Sequence, residues 1–583
     1  MKGLCKIEEE NKMRKLIQND LSKCVGCNRC IRFCPIDEAN IVFIENDGLK
    51  VKVDNEKCIA CGTCLATCQH ESRTYIDDTE KFIEDLKKGE AISVFFAPAA
   101  RANLRDWDRI LTWLRKLGAG SIYDVSLGAD ICTWAYIRWI QKNNPRTVIS
   151  QPCPAIVDYI LLHNPSLLPY LSPIHSPMMC TAIYMRRYQN IPHKLAAISP
   201  CVAKSSEFEE TGNLVSYNVT FKKLEEYIAR NGISLPDEPG TYDHFQSGLG
   251  AVYSYPGGLK ENVEFFLGKA LRVDKSEGQS VVYKILDDFG RETPENWPAV
   301  FDVLNCSEGC NLGTGVRHDR SVFEMAKAME NARKAALAGR EQEYFDQMFA
   351  DFDRNLRLED FTRHYYPSPV KKKGVTEKEL EDTFLALGKT DELSRKFNCG
   401  ACGSDSCEDM ARRIVKKVNI VENCVKTMYE NMEHEHRIVM DWRNSNMGSL
   451  RNLVSEIDSI HESSEHIRTD IVKIRDIIRT YELMAREIDK IADNIHIISL
   501  NASIEAAKAG DHGKSFAVVA EAIRSLAGKT QVAITQIGKT SGTVKETTLD
   551  VEEKVKNIAD KIGNASENIK DINSRTEQLS GKP

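Results

Sequence analysis

The spacing of the cysteines limits what this chain can fold into more than any other feature of its sequence. Two groups near the start repeat one pattern, in which three cysteines at two-residue gaps are followed by a fourth after three more residues. The first group consists of Cys24, Cys27, Cys30 and Cys34, and the second of Cys58, Cys61, Cys64 and Cys68. In a long chain without an export signal, cysteines clustered in this way bind metal more often than they form disulfides.

Each repeat can hold most of one iron–sulfur cubane, because one tight loop brings three thiolates together while the fourth cysteine serves the other cluster. This pattern resembles that of bacterial two-cluster ferredoxins, which implies two [4Fe–4S] clusters. One is expected on Cys24, Cys27, Cys30 and Cys68, and the other on Cys34, Cys58, Cys61 and Cys64. The alternative is a pair of structural zinc sites, but zinc motifs lack the repeated run and the Pro35 that follows the first one.

Size and composition describe a protein of several ordinary domains. The 583 residues are too many for one hydrophobic core, and the length suggests about three to five domains. The net charge of -7 gives no reason to expect nucleic acid or an anionic membrane as a partner. No apolar run approaches the roughly 20 residues that cross a bilayer, and the charged start lacks the apolar stretch of a signal peptide. These observations predict a cytoplasmic protein.

The order of segments predicts a multidomain chain of α+β and α/β domains that ends in a coiled coil. Residues 90–335 alternate strand-like runs such as AISVFFAPAA with helix-like runs, which is typical of a mixed α/β domain. From about residue 440 proline is absent until Pro583, and apolar residues recur at spacings of three and four. The predicted parts are a ferredoxin-like domain (1–85), an α/β domain (86–345), a helical linker (346–395), a small cysteine-bearing helical module (396–435) and a long antiparallel coiled-coil hairpin (440–583).

Four more cysteines lie in three loops of the α/β domain. The loops read SQPCPAIV around Cys153, ISPCVAKSSEFEE around Cys201, and NCSEGCNLGTG around Cys306 and Cys310. Four thiolates are enough for one further cubane. The loops resemble, in order and separation, the three characteristic segments of [FeFe]-hydrogenases. Together with the ferredoxin motifs, the resemblance covers residues 20 to about 340.

The hydrogenase resemblance implies a complete H-cluster. Its [4Fe–4S] part would be held by Cys153, Cys201, Cys306 and Cys310. Cys310 would also bridge to a two-iron subcluster that carries CO, cyanide and an azadithiolate. Lys204 matches the lysine that hydrogen-bonds a cyanide ligand, a task that suits a compact ammonium. Glu207 matches the acid that pairs within the second segment, so the implied catalytic residues are Lys204, Glu207 and Cys310.

Departures from the hydrogenase pattern concern proton transfer. Pro152 stands where the family has a proton-donating cysteine, and Ala135 and Tyr136 stand where its relay acids are expected. Ser199 and Leu304 replace two methionines of the family. Because each lost relay group slows proton transfer by orders of magnitude, we expect slow turnover. The same changes resemble the sensory branch of the [FeFe]-hydrogenases.

A third cysteine group follows the linker. Its spacing, Cys399-x2-Cys402-x4-Cys407-x16-Cys424, resembles a small [4Fe–4S] module of corrinoid and electron-transfer proteins, with zinc as the alternative metal. Glycines beside Cys399 and Cys402 free backbone amides that can point at cluster sulfides. The remaining cysteines fit no group and are interpreted as free or buried thiols; they are Cys5, Cys132 and Cys180.

The last segment predicts two long helices joined by a reversal. Between them the run KAGDHGKS offers Gly510 and Gly513 for a tight turn. Two such hairpins would bury both apolar series in a four-helix bundle, so we expect a homodimer. The first heptad series, interrupted only at Ser464, is Leu453, Ile457, Ile460, Ile467, Ile471, Ile474, Ile478, Tyr481, Ala485, Ile488, Ala492 and Ile495. The second series is Phe516, Val519, Ile523, Leu526, Ala533 and Ile537.

The stretch around the reversal, ISLNASIEAAKAGDHGKSFAVVAEAIRSLA, resembles the signalling tip of methyl-accepting chemotaxis proteins. That resemblance implies binding of a histidine kinase and its coupling adaptor. Asp493 stands where that family has an aromatic trimer contact. The alternative is a plain dimerisation coil, which would need the heptads but not this tip. The implied contact positions are Ile497, Leu500, Asn501, Glu505, Lys508, Phe516, Val518 and Arg524.

These resemblances together predict a hydrogen-sensing [FeFe]-hydrogenase that activates H2 slowly and reversibly, with H2 and protons as its substrates. Its redox state would pass through the [4Fe–4S] clusters to the coiled coil, and switching would require a bias of a few kcal/mol between two coil states. One alternative is a metabolic hydrogenase that exchanges electrons with ferredoxin, which would need the missing proton relay. The other is an electron-transfer or scaffold protein that lacks the two-iron subcluster.

Overall fold

The structure is a computed structural model that describes residues 16–45, 48–244, 248–268, 271–371 and 373–578. The chain divides into two compact units, Met1–Met428 and Tyr429–Pro583. None of the described helices has both the length and the apolar character needed to cross a membrane. Cys5 lies outside the described residues.

The first unit begins with a small domain of two short antiparallel sheets. Its elements are β1 (Ile17–Asn19), α1 (Arg29–Arg32), β2 (Asn40–Glu45), β3 (Gly48–Val53), α2 (Thr63–Thr67) and β4 (Arg73–Tyr75). β1 pairs with β4, and β2 pairs with β3. Gly26, between Cys24 and Cys27, and Gly62, between Cys61 and Cys64, both have positive φ, and this lets the cysteine loops turn tightly.

The central part of the first unit is an α/β domain with two parallel sheets. Its elements are α3 (Thr79–Lys87), β5 (Ile92–Phe96), α4 (Ala100–Asn103), α5 (Trp107–Lys116), β6 (Ile122–Asp124), α6 (Val125–Asn143), β7 (Val148–Ile149), α7 (Pro154–Leu162), α8 (Pro177–Ile183), β8 (Lys194–Ser199), α9 (Lys204–Glu210), β9 (Tyr217–Thr220), α10 (Phe221–Arg230), α11 (Gly258–Leu267), β10 (Val273–Glu277), α12 (Val282–Phe289), β11 (Val300–Leu304), β12 (Ser307–Cys310), α13 (Val322–Leu337) and α14 (Gln342–Asn355). One sheet has the order β6-β5-β8-β9 and the other β10-β11-β7.

Helices cover both faces of these sheets. All residues of β5, β6, β9 and β11 are therefore buried, which explains why the strands read as nearly continuous apolar runs. In α6 every residue from Val125 to Ile137 is buried as well. Phe349, Leu356 and Phe361, from the segment predicted as a linker, belong to the same core.

A small helical module completes the first unit. It consists of α15 (Glu377–Ala386), α16 (Glu392–Arg395) and α17 (Cys407–Val415). Phe384, Leu387 and Met410 form its core together with two of its cysteines. The module lies against the ferredoxin-like domain, where the Val42 amide donates to the Lys417 carbonyl at 3.2 Å.

The second unit is a helical hairpin formed by α18 (Val425–Lys508) and α19 (Lys514–Gln578). A 3-10 turn from Gly510 to Gly513 joins them, so the predicted reversal is confirmed. Gly513 is required at this turn, because a Cβ there would lie 2.1 Å from the Ala506 carbonyl oxygen. Arg475 pairs with Glu552 across the two helices.

The two helices of the hairpin bury fewer positions between them than the two predicted apolar series contain. In α18 the buried positions recur at intervals of seven, with one interval of fourteen: Ser464, Ile471, Ile478, Ala492, Ser499 and Ala506. In α19 they are Ala520, Ala527, Thr548 and Val555. The series from Phe516 to Ile537 stays largely exposed in this single chain, with Phe516 74% and Leu526 63% exposed, so its burial between two hairpins remains a prediction. In this hairpin about one position per heptad is fully buried between the two helices, and the other apolar positions stay partly or largely exposed.

Candidate functional site

The four cysteines of the α/β domain line one cavity. Cys153 is the N-cap of α7, and Cys201 and Cys306 each lie two residues beyond the end of a parallel strand, β8 and β11. Cys310 is the last residue of β12. Parallel α/β sheets bind ligands outside the carboxyl ends of their strands, and this is where the three loops meet.

The loops around the cavity touch each other at the level of the backbone. The Gly315 amide donates to the Pro200 carbonyl at 2.7 Å, and the Cys310 amide donates to the Ser254 carbonyl at 2.9 Å. A Cβ on Gly313 would lie 2.2 Å from the Pro200 oxygen, so only glycine fits there. The GTG that follows Cys310 in the sequence is therefore needed for close packing of the second and third loops.

Lys204 is buried beside the cavity, and its ammonium is held by three groups. It donates to the Pro152 carbonyl at 3.1 Å, to Ser176 Oγ at 3.0 Å, and to the Glu207 carboxylate. Burial alone would lower the pKa of Lys204, but the Glu207 charge raises it above its ordinary value. Lys204 therefore carries a fixed positive charge at neutral pH.

The donor set of the cavity suits an iron–sulfur group. Burial raises the pKa of all four thiols, to about 11 for Cys201 and to about 12 for Cys310. Buried thiols of this kind ionise when a metal supplies positive charge. Four sulfur donors around one cavity, with a buried ammonium at its wall, fit a cubane and a neighbouring anionic ligand.

The positions that depart from the hydrogenase pattern offer no ready proton donor. Pro152 lines the cavity, but its carbonyl is bonded to Lys204 and its ring has no titratable group. Ala135 and Tyr136 are buried in α6, and burial raises the pKa of the Tyr136 phenol well above its ordinary value. Cys132 and Cys180 are also fully buried, and each has its sulfur close to the His175 carbonyl, at 3.3 and 3.4 Å.

A network of charged side chains extends from Glu207, and sequence reasoning missed it. Arg363 donates to Glu210 Oε2 at 3.0 Å, and Glu210 shares a hydrogen bond with Asp158. Burial and the Glu210 charge raise the pKa of Asp158 well above its ordinary value, and burial also raises the pKa of Glu210. Glu210 could have been suspected from its three-residue spacing to Glu207 on α9. Arg363 could not, because it lies 153 residues further along the chain.

The ferredoxin-like domain brings part of its predicted ligand sets together. Cys34, Cys58, Cys61 and Cys64 line one small cavity, and they are the same four that the motif assigns to one cluster. Of the other set, Cys24 and Cys30 lie in one apolar group, and Cys27 is close enough to Cys30 to raise the pKa of its thiol. Cys68 is half-buried at the end of α2.

The third group is also brought together. Its four cysteines, Cys399, Cys402, Cys407 and Cys424, line one small cavity. The Cys407 amide donates to Asn398 Oδ1 at 2.8 Å, and this holds the first loop of the module to the start of α17. Among the described residues, no three His, Cys, Asp or Glu side chains are close enough together to hold a single metal ion.

Family profiles match four parts of the chain. Residues 90–314 match the C-terminal domain of the iron only hydrogenase large subunit, and residues 442–582 match the methyl-accepting chemotaxis protein (MCP) signalling domain. The chain joins an iron-only hydrogenase domain to a chemotaxis signalling domain. Residues 16–69 of this hydrogenase–chemotaxis chain match a 4Fe-4S dicluster domain, and residues 396–425 match a family of candidate Fe-S cluster modules. The predicted combination of domains is thereby confirmed.

Individual proteins resemble separate parts of this hydrogenase–chemotaxis chain. The methyl-accepting chemotaxis protein CtpL of Pseudomonas aeruginosa is 35% identical over 115 residues, which are 20% of this chain and 16% of CtpL. The periplasmic [Fe] hydrogenase large subunit of Nitratidesulfovibrio vulgaris is 26% identical over 298 residues, 45% of this chain and 70% of that subunit. Among solved structures, a variant of the [FeFe]-hydrogenase HydA1 from Chlamydomonas reinhardtii aligns over 51% of this chain and all of that one, with 16% identity and a TM-score of 0.40.

Proposed function

We propose that this protein is a hydrogen sensor with an [FeFe]-hydrogenase site. The observation that carries the proposal is the convergence of four cysteines and a buried lysine on one cavity, in a chain that also has a chemotaxis signalling domain. When bound, an H-cluster would supply reversible H2 cleavage, and [4Fe–4S] clusters would supply electron transfer. The cavity residues proposed to hold the H-cluster are Cys153, Cys201, Cys306 and Cys310.

Lys204 and Glu207 act as a pair in this proposal. Lys204 would donate a hydrogen bond to a cyanide ligand, and its charge would favour that anionic ligand in a buried site. Glu207 holds the ammonium in place and keeps it protonated. Cys310 would hold the group from the third loop, where β12 and the hydrogen bond from its amide to the Ser254 carbonyl fix its position.

Slow chemistry is the second element of the proposal. Pro152, Ala135 and Tyr136 provide no group that exchanges protons readily near neutral pH. A site with slow turnover is poorly suited to metabolism. It is sufficient for a sensor, because a sensor needs only that its occupancy and redox state follow the H2 concentration. This favours sensing over the metabolic, ferredoxin-linked alternative.

Direct contacts connect the cysteine sites within the first unit. Asn305, next to Cys306, donates to the carbonyl of Cys61 at 3.0 Å. Glu38, which lies between the two ferredoxin motifs, pairs with Lys416 of the third module at 3.2 Å. Cys424 of that module is the residue directly before α18. This order of contacts supports a path for redox information from the hydrogenase cavity to the start of the signalling helix.

The signalling hairpin would act as part of a homodimer. Apolar side chains such as Ile474, Tyr481 and Ile488 are 41%, 56% and 42% exposed in the single chain. A second hairpin would cover them in a four-helix bundle. The residues around the 3-10 turn would then bind a histidine kinase and its adaptor, and such partners place the protein in the cytoplasm.

The decisive experiment measures the matured full-length protein in three ways. Infrared bands of metal-bound CO and cyanide test for the two-iron subcluster, turnover with an artificial dye tests for H2 chemistry, and kinase activity with and without H2 tests for sensing. We expect bands, slow turnover, and kinase activity that changes with H2. Turnover on the order of 10³ per second would instead indicate a metabolic enzyme. Absence of both bands and turnover would leave an iron–sulfur scaffold.

A Cys310→Ala variant provides the matched loss of function. Cys132→Ala is its control, because Cys132 is buried in the same domain but does not line the cavity. Kinase control by H2 should disappear in the first variant and persist in the second. If H2 still alters kinase activity in Cys310→Ala, the hydrogenase cavity is not the sensor.

A further inference from the structure

A buried arginine lies among the cysteines of the two ferredoxin motifs. Arg73 begins β4, opposite Asn19 of β1, and only 8% of it is exposed. Its guanidinium donates to Cys30 Sγ at 3.1 Å, to Asn40 Oδ1 at 3.0 Å, and to Asn19 Oδ1. Asn40 donates in turn to the Cys30 carbonyl at 3.3 Å. The backbone and the sulfur of Cys30 are thus both tied to this one cation.

The partners of Arg73 are neutral amides and a cysteine sulfur, and in the described part of the chain none of them is a carboxylate. A buried cation without a counter-charge is costly. The cost falls if the site normally holds an anion, and a cluster bound by four thiolates is one. The position of Arg73 is therefore explained by the groups that the domain binds.

The charge of Arg73 reaches sulfurs of both motifs. Burial raises the pKa of the Cys30, Cys58 and Cys64 thiols, and the Arg73 charge opposes this rise at all three. Of these three sulfurs, that of Cys30 accepts a hydrogen bond from Arg73 in the described structure. The electrostatic effect is thus shared by both cluster sites, and the hydrogen bond is confined to one.

We propose that Arg73 is a positioning residue that raises the reduction potential of the ferredoxin-type clusters, most strongly that of the cluster held by Cys30. Reduction adds one negative charge to an anionic cluster, and a buried cation with an N–H bond to a ligand sulfur stabilises the reduced form more than the oxidised form. Electrons from any source are then retained in this domain. The proposal needs only the ferredoxin-type clusters and holds whether or not the protein senses hydrogen.

The test is a redox titration of the full-length protein, followed by electron paramagnetic resonance and reduced by dithionite rather than by H2. In Arg73→Gln the ratio of reduced to oxidised cluster at a fixed potential should fall about tenfold, which equals roughly 59 mV for a one-electron couple. Arg73→Lys keeps the charge but loses the planar set of N–H donors of the guanidinium, so the ratio should fall less than in Arg73→Gln. Asn40→Asp places a carboxylate beside the guanidinium, and its ratio should fall nearly as far as in Arg73→Gln.

The matched control is Lys23→Gln, which removes a cation one residue from Cys24. The Lys23 side chain is 51% exposed, so water screens its charge and the ratio should change less than about twofold. The proposal is overturned if Arg73→Gln and Asn40→Asp both stay within about twofold of the parent protein. It is also overturned if Lys23→Gln lowers the ratio as much as they do. If Arg73→Gln fails to bind iron, the proposal is judged on Asn40→Asp and Arg73→Lys, and it is overturned if the ratio in both stays within about twofold of the parent protein.

Discussion

The hydrogenase cavity and the signalling hairpin are held together in different ways. The cavity is assembled from distant parts of one chain: Lys204 contacts the carbonyl of Pro152, 52 residues away, and the Val202 amide contacts Thr314, 112 residues away. The hairpin is held by a repeated local pattern and leaves many large apolar residues exposed. Side chains of one chain close the cavity, whereas the hairpin leaves exposed apolar side chains that a second hairpin would cover in the proposed dimer. Damage to one region should therefore leave the other intact.

Loss of a cavity cysteine should have the largest effect and should separate the two regions completely. In Cys310→Ala, dye-linked H2 turnover and the infrared bands of CO and cyanide should fall to background. The helical signal of the hairpin should keep its melting temperature, because no hairpin contact is touched. Parallel infrared and circular dichroism measurements check this. A hairpin that melts earlier in this variant would show that the regions stabilise each other.

Removal of the Glu207 charge should destabilise the first unit by about 3–5 kcal/mol, because it leaves the buried Lys204 ammonium without its carboxylate. The expected readout is the urea midpoint of Glu207→Gln at pH 7. The exposed pair Glu84–Lys88 supplies the control, and Glu84→Gln should change stability by less than about 0.5 kcal/mol.

The same pair predicts a dependence on pH. Burial raises the pKa of Glu207, but Lys204 outweighs it and lowers the folded-state pKa below the ordinary 4.5. A lowered carboxyl pKa means that the stabilisation is present above pH 4.5 and is lost as the pH falls through the folded-state value. The difference between parent and Glu207→Gln should therefore be full at pH 7 and shrink in acid. A difference that grows in acid would contradict the assignment.

Truncation of the buried stripe of the hairpin should have an intermediate effect confined to the second unit. Ile471→Ala removes a side chain that is 4% exposed and should lower hairpin stability by about 2 kcal/mol. Ile477→Ala, on the same helix but 53% exposed, should cost less than about 0.5 kcal/mol. Thermal melting of the helical signal measures both. Equal effects of the two variants would mean that the register of the hairpin is different.

The smallest expected effect concerns the contact between the third module and the ferredoxin-like domain. Lys416→Gln removes one of the two lysines on Glu38, whose side chain is 7% exposed, and should cost about 1 kcal/mol locally. Hydrogen exchange in residues 396–425 should then rise about fivefold. Lys396→Gln, which breaks an exposed pair with Glu392, should leave exchange unchanged. No change in Lys416→Gln would remove this pair from the proposed path.

Local spacing in the sequence was enough to anticipate the cysteine groups and the reversal of the hairpin. The cavity lined by Cys34, Cys58, Cys61 and Cys64 contains the set that the motif assigns to one cluster, because tight loops fix three of the four positions. The turn at Gly510–Gly513 follows from glycines between two heptad runs. The role of these cysteines as ligands remains a prediction.

Contacts between distant segments could not be anticipated. Nothing near Arg363 indicates that it reaches Glu210, and nothing near Lys416 indicates that it reaches Glu38. The buried stripe of α19 was missed for another reason. A heptad pattern gives the period of an apolar series, but both the large series that includes Phe516 and the small series that includes Ala520 have that period. The small series is the buried one, because small side chains allow the two helices to approach closely.

The buried stripe of the hairpin also changes in size along its length. Beyond Ser464, at the end far from the turn, the stripe contains Ile471 and Ile478, and towards the turn it contains only small residues: Ala492, Ser499 and Ala506. Small side chains bury less apolar area, so each heptad near the turn contributes less to holding the helices together. The hairpin thus has a graded resistance to local opening, with its loosest part at the end that resembles the kinase-binding tip. A small free-energy change transmitted along the helices would therefore open them first near the turn, where a partner is expected to bind.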